Sequence, residues 1–256
     1  MRDGVGSHNT VKSVEIAMQV VETLKDKGGM GVTEIAEEMG LPKSTSHRHL
    51  KTLADKGYLV KDGTTYRTGL RFLEIGEAAR TRLPGSEIIR PKVKKIAIET
   101  GEKAQFFVEE HGKAVYVYQE TGDQAVELEF GVGERVPLHS TAGGKAILSK
   151  WSDDRIEKYV ETCDFTEITS YTITDPDELF DEIERTRERG YGLNKEEHYE
   201  GFIAVGVPVL GKSATVLGAL SVGGPINRMK GDRLENEILT LLLGVSNELE
   251  LNLRYS

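Results

Sequence analysis

Between Val32 and Arg67 the chain sets two short helical patterns, a tight break and two β-prone runs in immediate succession, and few folds accept that order. Thr33-Glu34-Ile35-Ala36-Glu37-Glu38-Met39 reads as a helix with Thr33 as its N-cap, and Gly40-Leu41-Pro42 breaks it. Lys43 to Leu53 starts a second helix. At helical spacing Ser46, Leu50, Leu53 and Ala54 share an inward face, while Ser44, Thr45, Arg48, Lys51 and Thr52 share the outward one. Tyr58 to Arg67 holds two short β-prone runs around Asp62-Gly63, a two-residue turn signal. Helix, break, helix and hairpin describe a winged helix-turn-helix module.

The outward face of the second helix carries hydroxyls, a guanidinium and ammonium groups, which suit phosphates and base edges. The residues expected to touch DNA are therefore Lys43, Ser44, Thr45, Arg48, Lys51 and Thr52, with Lys61 and Arg67 of the hairpin flanking the duplex backbone. The whole chain is acidic, with 33 Lys and Arg against 42 Asp and Glu, which argues against a generic polyanion binder. Residues 41 to 71 reverse that balance. Lys43, Arg48, Lys51, Lys56, Lys61, Arg67 and Arg71 face only Asp55 and Asp62. Such a split fits a small module that touches double-stranded DNA, carried by an acidic body that does not.

A length of 256 residues leaves room for a second domain, and a hydrophobic content of 38% is ordinary for a globular protein. No run of about 18 apolar residues occurs, and the polar, Gly-rich start shows no secretory signal, so the protein is expected in the cytoplasm without a membrane partner. The lone Cys163 excludes an internal disulfide and a Cys-based zinc cluster. An inert thiol is the plainer reading of it, a redox sensor the other.

Ahead of the basic module, Val14, Ala17, Met18, Val21 and Leu24 mark one buried face of a leading helix. After it, Leu70 to Arg80 is helical and ends at Leu83-Pro84-Gly85. The resulting division is residues 8–69 for the reader, 70–84 for a linker helix and 85–256 for the second domain. The linker stripe of Leu70, Leu73, Ile75, Ala78 and Ala79 needs a partner, and a second copy of the chain would set two readers on neighbouring half-sites.

From Ser86 the pattern becomes mixed. Ile88 to Glu99 is helical; Ala104–Val108, Ala114–Tyr118 and Ala125–Phe130 read as strands, the first two joined around His111-Gly112-Lys113. Helices are expected over 142–151, 153–162 and 177–190. A strand pair, Gly201–Leu210 with Thr215–Val222, turns at Gly211-Lys212-Ser213, and a helix from Arg233 to Leu253 closes the chain. One antiparallel sheet covered by helices, an α+β sensor-like domain, accounts for this order.

Leu138 to Ile147 reads as a strand end, a Ser/Thr cap and a helix start whose glycines let a ligand approach free backbone N–H groups. Such a terminus attracts a carboxylate or phosphate, although any capped helix looks similar. Asn194, Glu196, Glu197 and His198 form a second candidate wall, for which a solvated acidic loop is the plainer reading. Catalysis finds no support. Glu196-Glu197-His198 is not a metal-protease motif, and His47 and His49 do not share a helix face. No Gly-x-Ser-x-Gly elbow or phosphate-binding loop occurs, and Gly131-Val132-Gly133 reads as a turn. No catalytic residue, metal or cofactor is expected.

Five runs in order along both domains carry a resemblance. They are Gly40-Leu41-Pro42-Lys43-Ser44-Thr45 with Arg48 and Leu50; Gly57-Tyr58 with Tyr66; Leu138-His139 with Thr141-Ala142 and Gly144-Lys145-Ala146; Gly190-Tyr191 with Glu196-Glu197; and Ala204, Val207-Pro208 and Ser221 through Gly224-Pro225. The chain resembles the IclR (isocitrate lyase regulator) family of transcriptional regulators. The resemblance implies a winged helix-turn-helix domain, a linker helix and a GAF-like effector-binding domain that takes a small organic metabolite. It also implies homodimers, often paired into homotetramers, on pseudo-palindromic promoter DNA. By position the effector pocket would fall on the Ala142 and Gly143 amides, Leu138, Asn194, Ala204, Ser221 and Gly223. Family members that bind very small acids have an Asp, a Cys and a second Ser where this chain has Asn194, Ala204 and Gly223. That departure implies a roomier, less polar pocket and favours a sugar-acid or aromatic-acid catabolite as the effector. The expected function is a regulator whose promoter binding that metabolite controls, as activator or repressor. A ligand-independent architectural DNA binder and a metabolic enzyme carrying a winged module are the alternatives.

Overall fold

The computed structural model describes residues 10–127 and 131–255. Residues 8 and 9 of the expected reader, and the end of the strand expected over Ala125–Phe130, lie outside the described residues; Ala125–Glu127 form no strand. The chain divides into two compact units between Ala79 and Arg80.

The first unit contains helix α1 (Lys12–Lys27), strand β1 (Met30–Gly31), helices α2 (Val32–Glu38) and α3 (Lys43–Asp55), and strands β2 (Leu59–Asp62) and β3 (Thr65–Thr68). The strands form an antiparallel sheet in the order β1-β3-β2. Val20, Leu24, Ile35, Leu50, Leu59 and Tyr66 form its core, one or two side chains from each element. Two local expectations are corrected. Helix α2 starts at Val32, because Met30 and Gly31 pair with Tyr66 and Thr65 and the chain passes straight from strand to helix. The cap contact is then the Glu34 carboxylate accepting from the Gly31 N–H at 2.6 Å, and Thr33 lies inside the helix. The hairpin loop is Gly63-Thr64, since Asp62 already pairs with Thr65. Gly63 takes φ +58°, a conformation that glycine adopts at the first loop position without steric cost.

Helix α4 (Arg71–Thr81) buries none of its residues, and Leu70, Leu73 and Ile75 beside and along it are exposed. The second unit continues with helix α5 (Ser86–Thr100), strands β4 (Lys103–Glu110), β5 (Lys113–Thr121) and β6 (Arg135–Pro137), and helices α6 (Ala142–Leu148), α7 (Asp153–Thr162) and α8 (Pro176–Arg189). Strands β7 (Gly192–Lys195), β8 (Phe202–Leu210) and β9 (Val216–Pro225) and helix α9 (Leu239–Tyr255) complete it. The helix expected from Arg233 opens as a wider turn with π spacing over Arg233–Ile238 before α9 begins.

Six antiparallel strands run in the order β6-β5-β4-β9-β8-β7. Alternation along each strand divides their side chains between two cores. Phe106, Val205, Val207, Leu220 and Val222 pack under α5 and α9, whereas Phe107, Tyr116 and Ala219 pack under α6, α7 and α8. A register shift at Phe106/Phe107 brings Tyr116 opposite Phe107, and the two rings lie 4.5 Å apart between centroids. No helix among the described residues is long and apolar enough to cross a membrane.

Candidate functional site

In the first unit the α3 residues expected to meet DNA lie along one side of the helix, whereas Lys61 and Arg67 fall on opposite faces of the hairpin, Lys61 paired with Tyr66 and Arg67 with Val60. Lys43, Ser44, Arg48, Lys51 and Thr52 of α3 are exposed and Thr45 is half-buried; Ser46 and Leu50 on the opposite side are fully buried. Lys51 pairs with Asp55 at 2.6 Å, but both side chains are well exposed, and such a pair yields readily to a phosphate. The hairpin presents exposed Arg67 and Lys61, the latter 5.5 Å above the Tyr66 ring. An open groove of about 480 Å³ runs between the start of α2, His47 and the hairpin. The Arg71 guanidinium is turned inward, donating to the Lys56 carbonyl at 2.6 Å and stacking on Tyr58, whereas the Lys56 residue is exposed.

The second unit holds a pocket between the sheet and the start of α6, with a cavity volume of about 50 Å³. Lys103, Gln105 and Phe107 of β4 alternate onto one face and form part of its floor, with Tyr116, Ser221 and Gly223 beside them. Thr141, Ala142, Asn194, His198 and Tyr199 line the walls, and Phe202, Ile203 and Ala204 complete the enclosure. Five of the seven residues expected for the effector are therefore brought together: Ala142, Asn194, Ala204, Ser221 and Gly223. Leu138 is fully buried in the core under α6 to α8, with its carbonyl turned to Thr141. Gly143 does not line the cavity; it faces the Phe107 ring, where a Cβ would sit 2.6 Å from a ring carbon. The rings of Phe107, Tyr116, Tyr199 and Phe202 line the pocket together with Ala204 and Gly223.

Helix α6 reaches the sheet because Gly192 and Gly206 have no side chains. A Cβ at Gly192 would lie 2.2 Å from the Ala142 carbonyl oxygen, and one at Gly206 would lie 2.7 Å from the Gly143 nitrogen. Thr141 caps the helix, its Oγ1 accepting from the Gly144 N–H at 3.0 Å.

The 194–198 loop is not solvated, contrary to the plainer reading of its sequence. Glu197 is buried and accepts from the Lys145 ammonium at 2.6 and 2.7 Å. Burial pushes the Lys145 pKa down and the Glu197 pKa up, and each charge opposes the shift of the other. The Asn194 amide donates to the Ser140 carbonyl at 2.7 Å and accepts from the Glu197 N–H at 3.0 Å. Ser221 Oγ donates to the Val205 carbonyl at 3.0 Å. The pocket's two expected polar residues are thus already held by the protein. Thr169 and Thr172 clasp the same loop, donating to the Glu196 and Glu197 carbonyls at 2.7 Å each. Lys103, Gln105 and the aromatic walls were not among the expected residues, whereas His198 was a candidate through the 194–198 segment.

Behind α6, His139 is fully buried, with Nδ1 3.2 Å from the Tyr159 hydroxyl and 3.4 Å from Cys163 Sγ. Burial pushes the Cys163 thiol up, which keeps it protonated and weakly reactive at neutral pH. Burial, with the Lys113 and Lys145 charges, holds the His139 pKa at about 4 against an ordinary 6.5. On acidification the unfolded chain takes up this proton first. The stability contributed by the neutral imidazole is therefore complete above pH 6.5 and is lost as pH falls toward 4, on the order of 2 kcal/mol. Urea midpoints at pH 7 and 4.5 are expected to differ less for His139→Phe than for the natural chain; an equal difference would contradict this assignment.

A family profile described as the bacterial transcriptional regulator IclR C-terminal domain matches residues 79–250, and one described as the IclR helix-turn-helix domain matches residues 13–63. The chain is 29% identical to the probable HTH-type transcriptional regulator ArcR of Halobacterium salinarum over 97% of this chain and 96% of that one. It is 31% identical to the HTH-type transcriptional regulator KipR of Bacillus subtilis over 88% of this chain and 91% of that one. The crystal structure of the Thermotoga maritima IclR superposes with a TM-score of 0.77 at 27% identity, covering 94% of this chain and 97% of that one. An IclR homologue from Microbacterium hydrocarbonoxydans, crystallised with 4-hydroxybenzoate, has the same fold at 21% identity, with a TM-score of 0.81 over 95% of this chain and 100% of that one.

Proposed function

The chain belongs to the IclR family of bacterial transcriptional regulators, and from that premise we propose that a small carboxylic acid, seated between α6 and the sheet, controls its hold on promoter DNA. The pocket carries this reading: it joins apolar rings to a few polar groups beneath a helix start, the composition of a small-molecule site. Leu138 and Gly143 shape it from behind, while Ala142, Asn194, Ala204, Ser221 and Gly223 line it. The four rings favour an aromatic acid, in keeping with the 4-hydroxybenzoate bound by the Microbacterium homologue, ahead of a sugar acid. Residues 8–69 act as the reader, 70–84 as the linker and 85–256 as the effector domain. The exposed apolar residues Leu70, Leu73 and Ile75 meet a second copy in a homodimer, which pairs further into a tetramer. The protein acts in the cytoplasm without catalysis, and effector binding alters reader spacing through the linker, a coupling of about 1 to 3 kcal/mol.

Thermal-shift screening of the purified chain against aromatic and sugar acids tests the pocket, because a ligand of the native state raises the midpoint by mass action. A shift that disappears in Asn194→Leu supports it; shifts untouched by Asn194→Leu and Ser221→Ala place the ligand elsewhere.

The reader has its own test. Arg48, exposed in the middle of α3, is proposed to contact a base edge, and Arg48→Ala is expected to cost about 1 to 3 kcal/mol of specific binding. Lys61→Ala is expected to weaken binding on every sequence alike and to reduce the salt slope by about one phosphate contact. Competition titrations at several salt concentrations separate the two. Retained sequence preference in Arg48→Ala would remove α3 from base recognition.

A further inference from the structure

Among the described residues lining the pocket, Lys103 is the one whose side chain carries a formal positive charge. It is 6% exposed, so its ammonium is largely withdrawn from water. Strand register fixes what lies beside it: Lys103 is opposite Gly223, Gly223 is opposite Ala204, and Ala204 is opposite Asn194. Crossing the sheet from Lys103, the next two positions have no side chain and a methyl group. A trough three strand spacings long, about 14 Å between its end Cα atoms, therefore runs from Lys103 to Asn194.

Several other polar groups in and beside the pocket already have partners within the protein. Ser221 gives its hydrogen to Val205, and Asn194 gives its amide hydrogen to Ser140. Thr141 Oγ1 accepts from the Gly144 N–H and turns its hydrogen to the Leu138 carbonyl at 3.5 Å, and the nearby Lys145 is held by Glu197. His198 has its pKa lowered by burial, against a smaller opposing effect of Glu134, and is neutral at physiological pH.

We propose that Lys103 is the residue that recognises the effector's carboxylate, with Gln105 beside it on β4 and the Gly223/Ala204 trough leaving the space for the acid group. This deepens the effector reading above and rests on it. Burial also draws the Lys103 pKa below the ordinary lysine value, with the Glu127 carboxylate opposing the shift. A bound carboxylate opposes it in the same way, so the site favours acids over their neutral analogues. The rest of the ligand then lies toward Phe107, Tyr116 and Tyr199, where a planar ring stacks without a polar penalty.

The test is calorimetric titration of the full chain with benzoate, 4-hydroxybenzoate and gluconate, each beside its uncharged primary amide. At least one acid is expected to bind ten times more tightly than its amide. Lys103→Met and Lys103→Gln are expected to remove that preference by weakening the acid and leaving the amide unchanged, while Lys103→Arg keeps most of it. Acid binding with an undiminished preference in both neutral variants overturns the assignment of Lys103 and leaves the effector pocket standing. Binding by none of the acids overturns the carboxylic-acid reading itself, and the assignment with it. Folding of each variant is verified by its thermal midpoint, and two neutral replacements of different polarity separate loss of charge from loss of packing.

Discussion

Lys145→Met is expected to destabilise the effector unit by about 3 to 5 kcal/mol, the usual cost of leaving one member of a buried ion pair without its partner. Lys145 is 1% exposed and Glu197 is 6% exposed, so the carboxylate left behind has little water to turn to. Glu182 stands 3.8 Å from the same ammonium, and its own partners are Arg189 and Arg185. Removing Lys145 therefore strands Glu197 chiefly, whose remaining contact is the Lys195 N–H at 3.2 Å. The loop bearing Asn194 and His198 hangs from this contact and from the two threonine clasps, so effector binding is expected to weaken with stability. A second replacement discriminates the cause. Lys145→Met with Glu197→Leu removes both charges, and is expected to recover much of the loss because burial of the carboxylate no longer has to be offset. Urea unfolding followed by circular dichroism measures both. A Lys145→Met variant within about 1 kcal/mol of the natural chain would show that the pair is solvated or neutral.

Gly192→Val is expected to disrupt the pocket as severely. The new Cβ would stand 2.2 Å from the Ala142 carbonyl oxygen and 2.9 Å from the Ala146 nitrogen, both backbone atoms of α6. Neither can rotate aside, so the helix must lift from the sheet. Overpacking of this kind costs about 1 to 3 kcal/mol and sometimes more. The consequence for binding is larger than for folding, because Ala142 and Thr141 move with the helix and the wall separates from the floor. Gly190→Val, two residues earlier, meets no atom within 4 Å of the new Cβ but takes a φ of +82°, so its cost comes from backbone strain alone. Comparing the two separates steric displacement of α6 from general weakening of the β7 edge. Gly192→Val that binds the same acids with unchanged affinity would contradict the close approach of α6 to the sheet.

What the sequence revealed, and what it hid, follows the range of the interactions. The helix-break-helix-hairpin order was legible because its signals are local: the spacing of Ile35, Leu50 and Tyr66 against their polar neighbours, Gly40 before Pro42, and a glycine in the hairpin. Its boundaries slipped by one or two residues where pairing decided them, as at Met30-Gly31 and Gly63-Thr64. Strand β7, four residues long, was missed because so short a run shows little periodicity, and the three-residue β6 was legible only as a strand end at Leu138. Glu197 was read as solvated because its partner lies 52 positions away. Lys103, Gln105 and Phe107 visibly share a face, but their role depends on β4 lying beside β9, which comes more than a hundred residues later. Ala204, Ser221 and Gly223 came from the family resemblance and not from any local pattern; Leu138, carried over in the same way, belongs to the core.

The central claim is that one molecule joins a DNA reader to an acid-sensing pocket. The most direct measurement is the affinity of the full chain for the DNA it selects from a random-sequence pool, by fluorescence anisotropy at fixed salt, with and without saturating acid. An acid that raises the thermal midpoint is expected to change that affinity by about 5- to 150-fold, and reciprocally the DNA should change the affinity for the acid by the same factor. An operator affinity that no acid alters, in a chain that binds one in the pocket, would leave the two units uncoupled and the account wrong at its centre.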